Sequence, residues 1–421
     1  MKYAILTFGC RTNQADSFDL ERDLLARGGR AAPVEVADLV IVNTCAVTAT
    51  AEQAARQAIR RVARVNPRAR ILATGCYAVR QPADFAALGV PIASPAGPAS
   101  PSTPHGSHEA VDGLSDVGQE IVDSVPMPVG PGTRGRTVRF LCVQTGCNEA
   151  CAYCIVPTTR GRSRSLPLDA VVGEVSDAAR AGFKEVVITG VHLGSYGRDL
   201  DPRSSLADLV RALSAHPADL RFRLSAVEPM DFGDGVIRAL AASTRFVHHF
   251  HLPLQHASDQ ILAAMTRPYT VSRYTAILDA LCDLFPAAAI GADLIVGFPG
   301  ETEVDFDRCA QYLAASPLAY LHVFPFSARP GTRAARLGGR PRGEDVRRRV
   351  RSLRGIGADL SRRFRQRFVG AVRDGLTIED GLLVLTDNYL RVRIAAGHRR
   401  NEWVRVRILE DGDPMKGEPV R

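Results

Sequence analysis

Three cysteines, Cys147, Cys151 and Cys154, fall within eight residues in the stretch Gly146-Cys-Asn-Glu-Ala-Cys-Ala-Tyr-Cys-Ile-Val-Pro157. The spacing C-x3-C-x2-C puts three thiols on one tight loop, which can aim them at a single point. Three thiolates suit a cubane iron–sulfur cluster better than structural zinc, which nearly always takes four protein ligands. An iron left without a protein ligand would be open to a substrate. A zinc knuckle completed by a distant ligand and a disulfide loop are the alternatives that spacing leaves open.

A second set of three is dispersed. Ala4-Ile-Leu-Thr-Phe-Gly-Cys10, Leu39-Val-Ile-Val-Asn-Thr-Cys45 and Ile71-Leu-Ala-Thr-Gly-Cys76 each read as an apolar strand that ends at a cysteine. Helical patterns lie between them, near 16–27 (Asp16, Leu20, Leu24 and Leu25 on one face) and over 49–64. Strand–helix–strand at this interval is the spacing of a parallel α/β sheet, whose strands end on the edge where such sheets bind ligands. Three cysteines in register there would converge on a second metal site, whereas a lone one would read as a small buried residue.

The bulk numbers bound the rest. At 421 residues the chain can form two or three domains, and no run approaches the roughly 18–20 apolar residues of a membrane span. The strand-like stretch Tyr3–Phe8 begins at the third residue, so no export signal is expected. Nine cysteines without one imply reduced thiols in the cytoplasm. Of the net charge of +8, all is concentrated in residues 340–367, where eleven arginines face only Glu344, Asp345 and Asp359. Such a segment suits phosphate contacts, the bland alternative being an exposed basic helix.

From Pro91 to Arg136 the patterning collapses into eight prolines, seven glycines and six serines, the composition of a linker, with a short element conceivable over 118–125. Beyond it, strands are expected over 138–144, 184–189, 220–226, 248–253, 289–296 and 319–325. Helices are expected over 167–182, 205–215, 233–243, 257–284 (broken near Pro268) and 302–315. This alternation reads as a partial parallel barrel with the three-cysteine loop at its C-terminal mouth. His192, Glu228, Gln255 and His256 follow strand ends and Asp293 lies within the fifth strand, making them candidate pocket residues. Cys142, Cys282 and Cys309 are expected to be structural.

A basic helix over 343–368 leads into period-two strands at 381–386, 389–394 and 402–408. Outward Arg391, Arg393, Arg405 and Arg407 beside Tyr389 and Trp403 suit a small nucleic-acid-binding barrel, or a solvated face of an ordinary sheet. The fold class is therefore α/β. It has a Rossmann-like parallel sheet domain (1–92), a linker (93–136), a (β/α)6 partial barrel with its Arg-rich helix (137–368) and a small β-barrel (369–421).

With both cysteine sets in order before a β-rich tail, the chain resembles the radical S-adenosylmethionine (SAM) methylthiotransferases. Thr7-Phe-Gly-Cys-Arg-Thr-Asn-Gln14, Gly190-Val-His-Leu-Gly-Ser-Tyr-Gly197, Leu321-His-Val-Phe-Pro-Phe-Ser327 and Arg329-Pro-Gly-Thr332 are most similar to the branch acting on N6-threonylcarbamoyladenosine in tRNA, at position 37 next to the anticodon. The chain departs from the family pattern in Gln255-His-Ala-Ser-Asp259, where Gln-Ser-Gly-Ser-Asp is common, and in a tail short for the family's TRAM barrel.

The resemblance implies two [4Fe-4S] clusters, on Cys10, Cys45 and Cys76 and on Cys147, Cys151 and Cys154. SAM would bind the open iron of the latter and be cleaved there to a radical. The other cluster would carry the transferred sulfur, and a further SAM would supply the methyl group. Tyr153, Glu228 and Asp293 are expected near SAM. The implied partners are the tRNA anticodon stem-loop and an electron donor such as flavodoxin or ferredoxin, with no membrane. The alternatives are the same chemistry on N6-isopentenyladenosine or a ribosomal-protein aspartate, and a non-catalytic iron–sulfur protein that binds RNA.

Overall fold

The computed structural model describes residues 1–93 and 137–420, so the expected linker, apart from its first residue, and the element at 118–125 lie outside the described residues. The first sheet comprises β1 (Lys2–Thr7), β2 (Arg30–Ala31), β3 (Leu39–Thr44) and β4 (Arg70–Gly75), ordered β2-β1-β3-β4 and all parallel. Helices α1 (Arg11–Ala26), α2 (Ala49–Val65), α3 (Cys76–Arg80) and α4 (Pro82–Ala86) follow its strands. Every residue of β3 is buried, as suits a central parallel strand covered on both faces. Helix α1 begins five residues before the expected start because Cys10 is its N-cap.

The central region adds β5 (Arg139–Thr145), β6 (Arg164–Ser165), β7 (Glu185–Gly190), β8 (Arg221–Leu224), β9 (His249–His251), β10 (Ala289–Val296) and β11 (Tyr320–Pro325). Its helices are α5 (Val156–Arg160), α6 (Leu168–Arg180), α7 (Leu206–Ser214), α8 (Asp234–Ala241), α9 (Asp259–Ala264), α10 (Val271–Leu284) and α11 (Glu303–Ala315). Apart from the short antiparallel β6, the pairings β5-β7-β8 and β9-β10-β11 are parallel, and a bridge from Ala226 to His251 joins the two sheets. The result is the six-stranded partial barrel read from the alternation. Local chemistry sets the helix starts: Ser205 accepts from the Asp208 N–H, and Thr302 and Asp305 form a reciprocal capping box.

Helix α12 (Gly343–Gln366) lies along β11 and buries Val350, Leu353, Gly357, Leu360 and Phe364 at helical spacing. Most of its basic face serves the protein itself. Arg349 pairs with Glu301 (3.2 Å) and Glu303 (2.8 Å), Arg365 with Asp411 (2.6 Å), and Arg363 and Arg367 donate to backbone carbonyls. Arg347, Arg351 and Arg354 have no ion-pair or hydrogen-bond partner among the described residues, so far fewer cations are free for phosphates than the composition suggested.

The tail closes a barrel from β12 (Val372–Ile378), β13 (Leu383–Thr386), β14 (Arg391–Arg393), β15 (Trp403–Glu410) and β16 (Met415–Val420), in the order β12-β13-β14-β16-β15. The first and last of these have no clean alternation, and the sequence reading missed them. Val392, Val404, Val406, Ile408 and Met415 fill the interior while Arg391, Arg393, Arg405 and Arg407 point out. The barrel's two aromatic residues, both partly exposed, also serve the contact with the central sheet. Trp403 donates to Asp219 (3.1 Å) beneath Arg221, and Tyr389 stacks on His249 with 4.0 Å between centroids and lies under Arg223. Both rings dock the barrel onto the central sheet.

Glu185 in β7 anchors this seam. It is fully buried and accepts from Arg221 (2.5 Å) and Arg223 (2.9 Å), the two cations that the docking rings cover. Burial alone would raise its carboxyl, but the two guanidinium groups outweigh that and hold it down to about 2. Its stabilisation is thus complete above the ordinary 4.5 and is lost as pH falls from there toward about 2. Glu185→Gln leaves two arginines buried without their charge partner and is expected to cost roughly 3–5 kcal/mol. Thermal unfolding should show a lower midpoint at neutral pH and a shallower decline below pH 4.5 than in the wild type.

Candidate metal and substrate site

The register of the first sheet brings the dispersed cysteines together. Thr44 of β3 sits opposite Gly75 of β4, so Cys45 and Cys76 leave adjacent strand ends side by side. Cys10 follows β1, which is paired to the other edge of β3. Asn13 pins the turn by donating to the carbonyls of Phe8 and Thr44, both at 2.9 Å. Gly9 adopts φ +94°, and a Cβ there would lie 2.4 Å from the Cβ and 2.5 Å from the Sγ of Cys45. Only glycine lets the Cys10 loop close over Cys45.

The loop after β5 carries the contiguous set. Its carbonyl and amide groups are fixed by Ala152, which donates to Met265 and accepts from Ala334. Each thiol set has cationic donors at hand. Arg267 donates to Cys151 Sγ (3.1 Å), His192 Nδ1 lies 3.7 Å from Cys147 Sγ, and Arg160 donates to Cys76 Sγ (3.1 Å). His192 would be pushed down by burial, but its hydrogen bonds to Asp231 (2.5 Å) and Cys147 outweigh that and raise it to about 10. It therefore faces Cys147 as a protonated donor. Arg160 also reaches Asn13 (2.8 Å) and Asp16 (2.6 Å) on α1, so the helix after the contiguous set is tied to the surroundings of the dispersed one.

A cavity of about 340 Å³ lies between the sets, with Cys10 in one wall and Cys154 in another. Tyr153, Gln255, Asp293 and Arg329 supply its polar lining and Ile295, Phe324 and Phe326 its apolar one. Asp293 Oδ1 accepts from His251 (2.9 Å) and His322 (3.1 Å), while Oδ2 accepts no hydrogen bond among the described residues. Burial alone would raise this carboxyl; the two imidazoles outweigh it and hold the group well below the usual carboxylate range, ionised. Arg329 is tied by Glu52 (2.8 Å), which links α2 to the barrel mouth.

Of the residues singled out in the sequence, Tyr153, Gln255 and Asp293 line this cavity. Glu228 does not; it pairs with Arg267, the donor to Cys151. His256 turns inward toward buried Glu301, 3.9 Å away. Cys142 and Cys309 are buried, and Cys282 packs partly buried against the central core. Sequence reasoning missed Arg160, Arg267 and Asp231, single polar residues whose roles depend on partners 39 to 147 positions away. A larger cavity of about 830 Å³ follows the seam beside Trp403 and is lined by none of the six cysteines.

Residues 141–313 match the Radical SAM superfamily, and residues 2–93 match the Uncharacterized protein family UPF0004. The chain is 34% identical over 412 residues to the threonylcarbamoyladenosine tRNA methylthiotransferase MtaB of Thermotoga maritima, covering 96% of this chain and 93% of that protein. The chain belongs to the radical SAM methylthiotransferase family. It is also 36% identical over 362 residues to the tRNA-2-methylthio-N(6)-dimethylallyladenosine synthase of Anaeromyxobacter dehalogenans, covering 83% of this chain and 76% of that one. Among solved structures, the radical SAM methyltransferase TsrM from Kitasatospora setae shares the fold, with a TM-score of 0.55 at 14% identity over 79% of this chain and 76% of that one.

Enzymes of this family use SAM and [4Fe-4S] clusters, and the donor sets here fit such groups. Each offers three thiols, too widely spaced among the described residues to close on one ion, with His192 Nδ1 beside one set, 3.7 Å from Cys147 Sγ. Burial pushes the Cys45 and Cys154 thiols up to about 12, so their protons are displaced by a metal rather than lost to water. The Arg and His donors then stabilise thiolate charge from outside the ligand shell. Gly9→Ala should expel Cys45 from its place. Iron analysis after anaerobic reconstitution is expected to fall from about eight to about four per chain.

Proposed function

We propose that this protein is a tRNA methylthiotransferase that converts N6-threonylcarbamoyladenosine at position 37, next to the anticodon, to its 2-methylthio derivative. The observation that supports this most is the single cavity lined by both Cys10 and Cys154. Two cysteine sets that face one small space suit a reaction in which one centre activates a carbon and the other delivers sulfur to it. The substrate follows the relatives of that name, whose match extends over nearly the whole of both chains, whereas the match to dimethylallyladenosine synthases is shorter.

Cys147, Cys151 and Cys154 would hold one cluster and Cys10, Cys45 and Cys76 the other, and with SAM these supply radical and sulfur chemistry that no protonatable side chain can perform on an aromatic C–H bond. The chain's own part is positioning. Arg267, His192 and Arg160 steady the thiolates. Asp293, ionised and with Oδ2 free, accepts hydrogen bonds from a ligand amine or hydroxyl in the cavity, next to the Tyr153 ring. Ile295, Phe324 and Phe326 exclude water from the reacting side. Residues 1–92, 137–368 and 369–421 act as sulfur carrier, radical generator and RNA holder. Unpaired Arg347, Arg351 and Arg354 and the outward arginines of the small barrel contact phosphates of the anticodon stem-loop. Flavodoxin or ferredoxin supplies electrons, in the cytoplasm. No helix among the described residues is long and apolar enough to cross a membrane.

Nucleoside mass spectrometry tests the substrate. Deletion should abolish 2-methylthio-N6-threonylcarbamoyladenosine and leave its unthiolated precursor; an unchanged profile overturns the assignment. The joint Cys147→Ala, Cys151→Ala, Cys154→Ala variant should keep about four of eight irons and lose all turnover. A count of about four in the intact protein would refute the two-cluster assignment.

A further inference from the structure

Beside the cavity just described lies a second one of about 200 Å³, with Arg11, Tyr320, His322, Tyr389, Arg365 and Arg391 among its walls. The two adjoin along two lines. Cys10 lines the first cavity and its neighbour Arg11 the second. Asp293 lines the first, and its hydrogen-bond partner His322 the second. A ligand whose reacting atom sits between the cysteine sets could therefore extend a substituent past Asp293 into this side chamber.

The chamber's cations differ in how they are satisfied. Arg365 is tied to Asp411 (2.6 Å), Arg391 to Glu379 (3.5 Å) and His322 to Asp293 (3.1 Å). Arg11 has no acidic or hydrogen-bond partner among the described residues, although it is partly buried. Asp413 also lines the chamber, yet it is not paired with Arg11. A guanidinium partly removed from water and left unpaired is costly unless a ligand supplies the anion. Much of the rest of the wall is aromatic: Tyr320 lies 5.2 Å from His322 and 6.4 Å from Tyr389 between ring centroids, the rings tilted to one another by 50° and 34°. Burial, then the charges of Arg223 and Arg11, push the His249 imidazole beneath Tyr389 well down, so the floor of the stack is neutral and Arg11 is the prominent charge above it. An unpaired guanidinium beside aromatic rings suits a planar group that carries a carboxylate.

We propose that Arg11 reads the carboxylate of the threonylcarbamoyl group, pairing with it in the side chamber while Tyr320 and His322 flank the planar carbamoyl. This rests on the function proposed above and assigns its specificity to a residue. A dimethylallyl substituent has no carboxylate, so it would leave the guanidinium desolvated and unpaired, the kind of mismatch that polar sites reject strongly.

The test measures binding of labelled anticodon stem-loops to the anaerobically reconstituted full chain. One RNA carries N6-threonylcarbamoyladenosine, the other its threonyl carboxamide, nearly identical in shape but uncharged. The wild type is expected to favour the acid by about tenfold or more, as a charge-assisted pair requires. Arg11→Gln should bring the ratio near one and Arg11→Lys should retain part of it, with iron content at the wild-type level in both. An Arg11→Gln ratio equal to the wild-type ratio overturns the proposal, and a wild-type ratio near one does so whatever the variants show. If the wild type meanwhile methylthiolates the acid RNA, the function stands and only the role of Arg11 falls; if it methylthiolates no such RNA, the function itself falls.

Discussion

Arg160 ties the segment that follows one cysteine set to the residues that hold the other. It sits at the end of the short helix after the C-x3-C-x2-C loop, donates to Cys76, and reaches Asn13 and Asp16 at the base of α1. A buried guanidinium is tolerable only when its donors are met, and here sulfur, amide and carboxylate meet them together. Asn13 in turn holds the Cys10 turn to the end of β3. A continuous chain of hydrogen bonds thus joins the two thiol sets, alongside the apolar packing of Ile155 against Tyr77 and of Phe18 against Phe183. Further from the cavity, Arg139 and Arg22 repeat the device by sharing Glu174, with Arg139 also on Asp19.

What the sequence disclosed, and what it hid, follows from the range of the interactions. The barrel strands were legible because burial imposes apolar runs, and β10 was recovered at its observed ends, Ala289 and Val296. The convergence of Cys10, Cys45 and Cys76 was legible because strand ends in a parallel sheet share an edge. Arg160, Arg267 and Asp231 were not, since an isolated polar residue carries no periodic signal. Arginine density overstated the cations available to nucleic acid: Arg349, Arg363, Arg365 and Arg367 hold α12 against α11, the turn after α10 and the tail. Trp403 and Tyr389 have a second role that their spacing did not announce, because amphipathic rings suit a seam as well as a base.

The departure at His256, next to the retained Gln255, also has a physical account. Gln255 adopts φ +67°, bonds in parallel fashion to β10 through Leu294, and keeps its place in the cavity wall. His256 points the other way, into a buried space beside Glu301, and its Nδ1 accepts from the Ser258 amide. The larger side chain fills volume behind the wall and leaves the lining unaltered.

The seam built on Glu185 makes the small barrel a fixed ruler. Because Trp403 and Tyr389 clamp onto arginines that are themselves held inside the central sheet, the barrel cannot slide or tilt without exposing buried charge. An RNA gripped by the barrel's outward arginines would be presented at one set distance from the cysteine sets. Selection of a nucleotide would then be partly a matter of counting: a loop one residue longer or shorter would bring the wrong base to the cavity even if its chemistry were right.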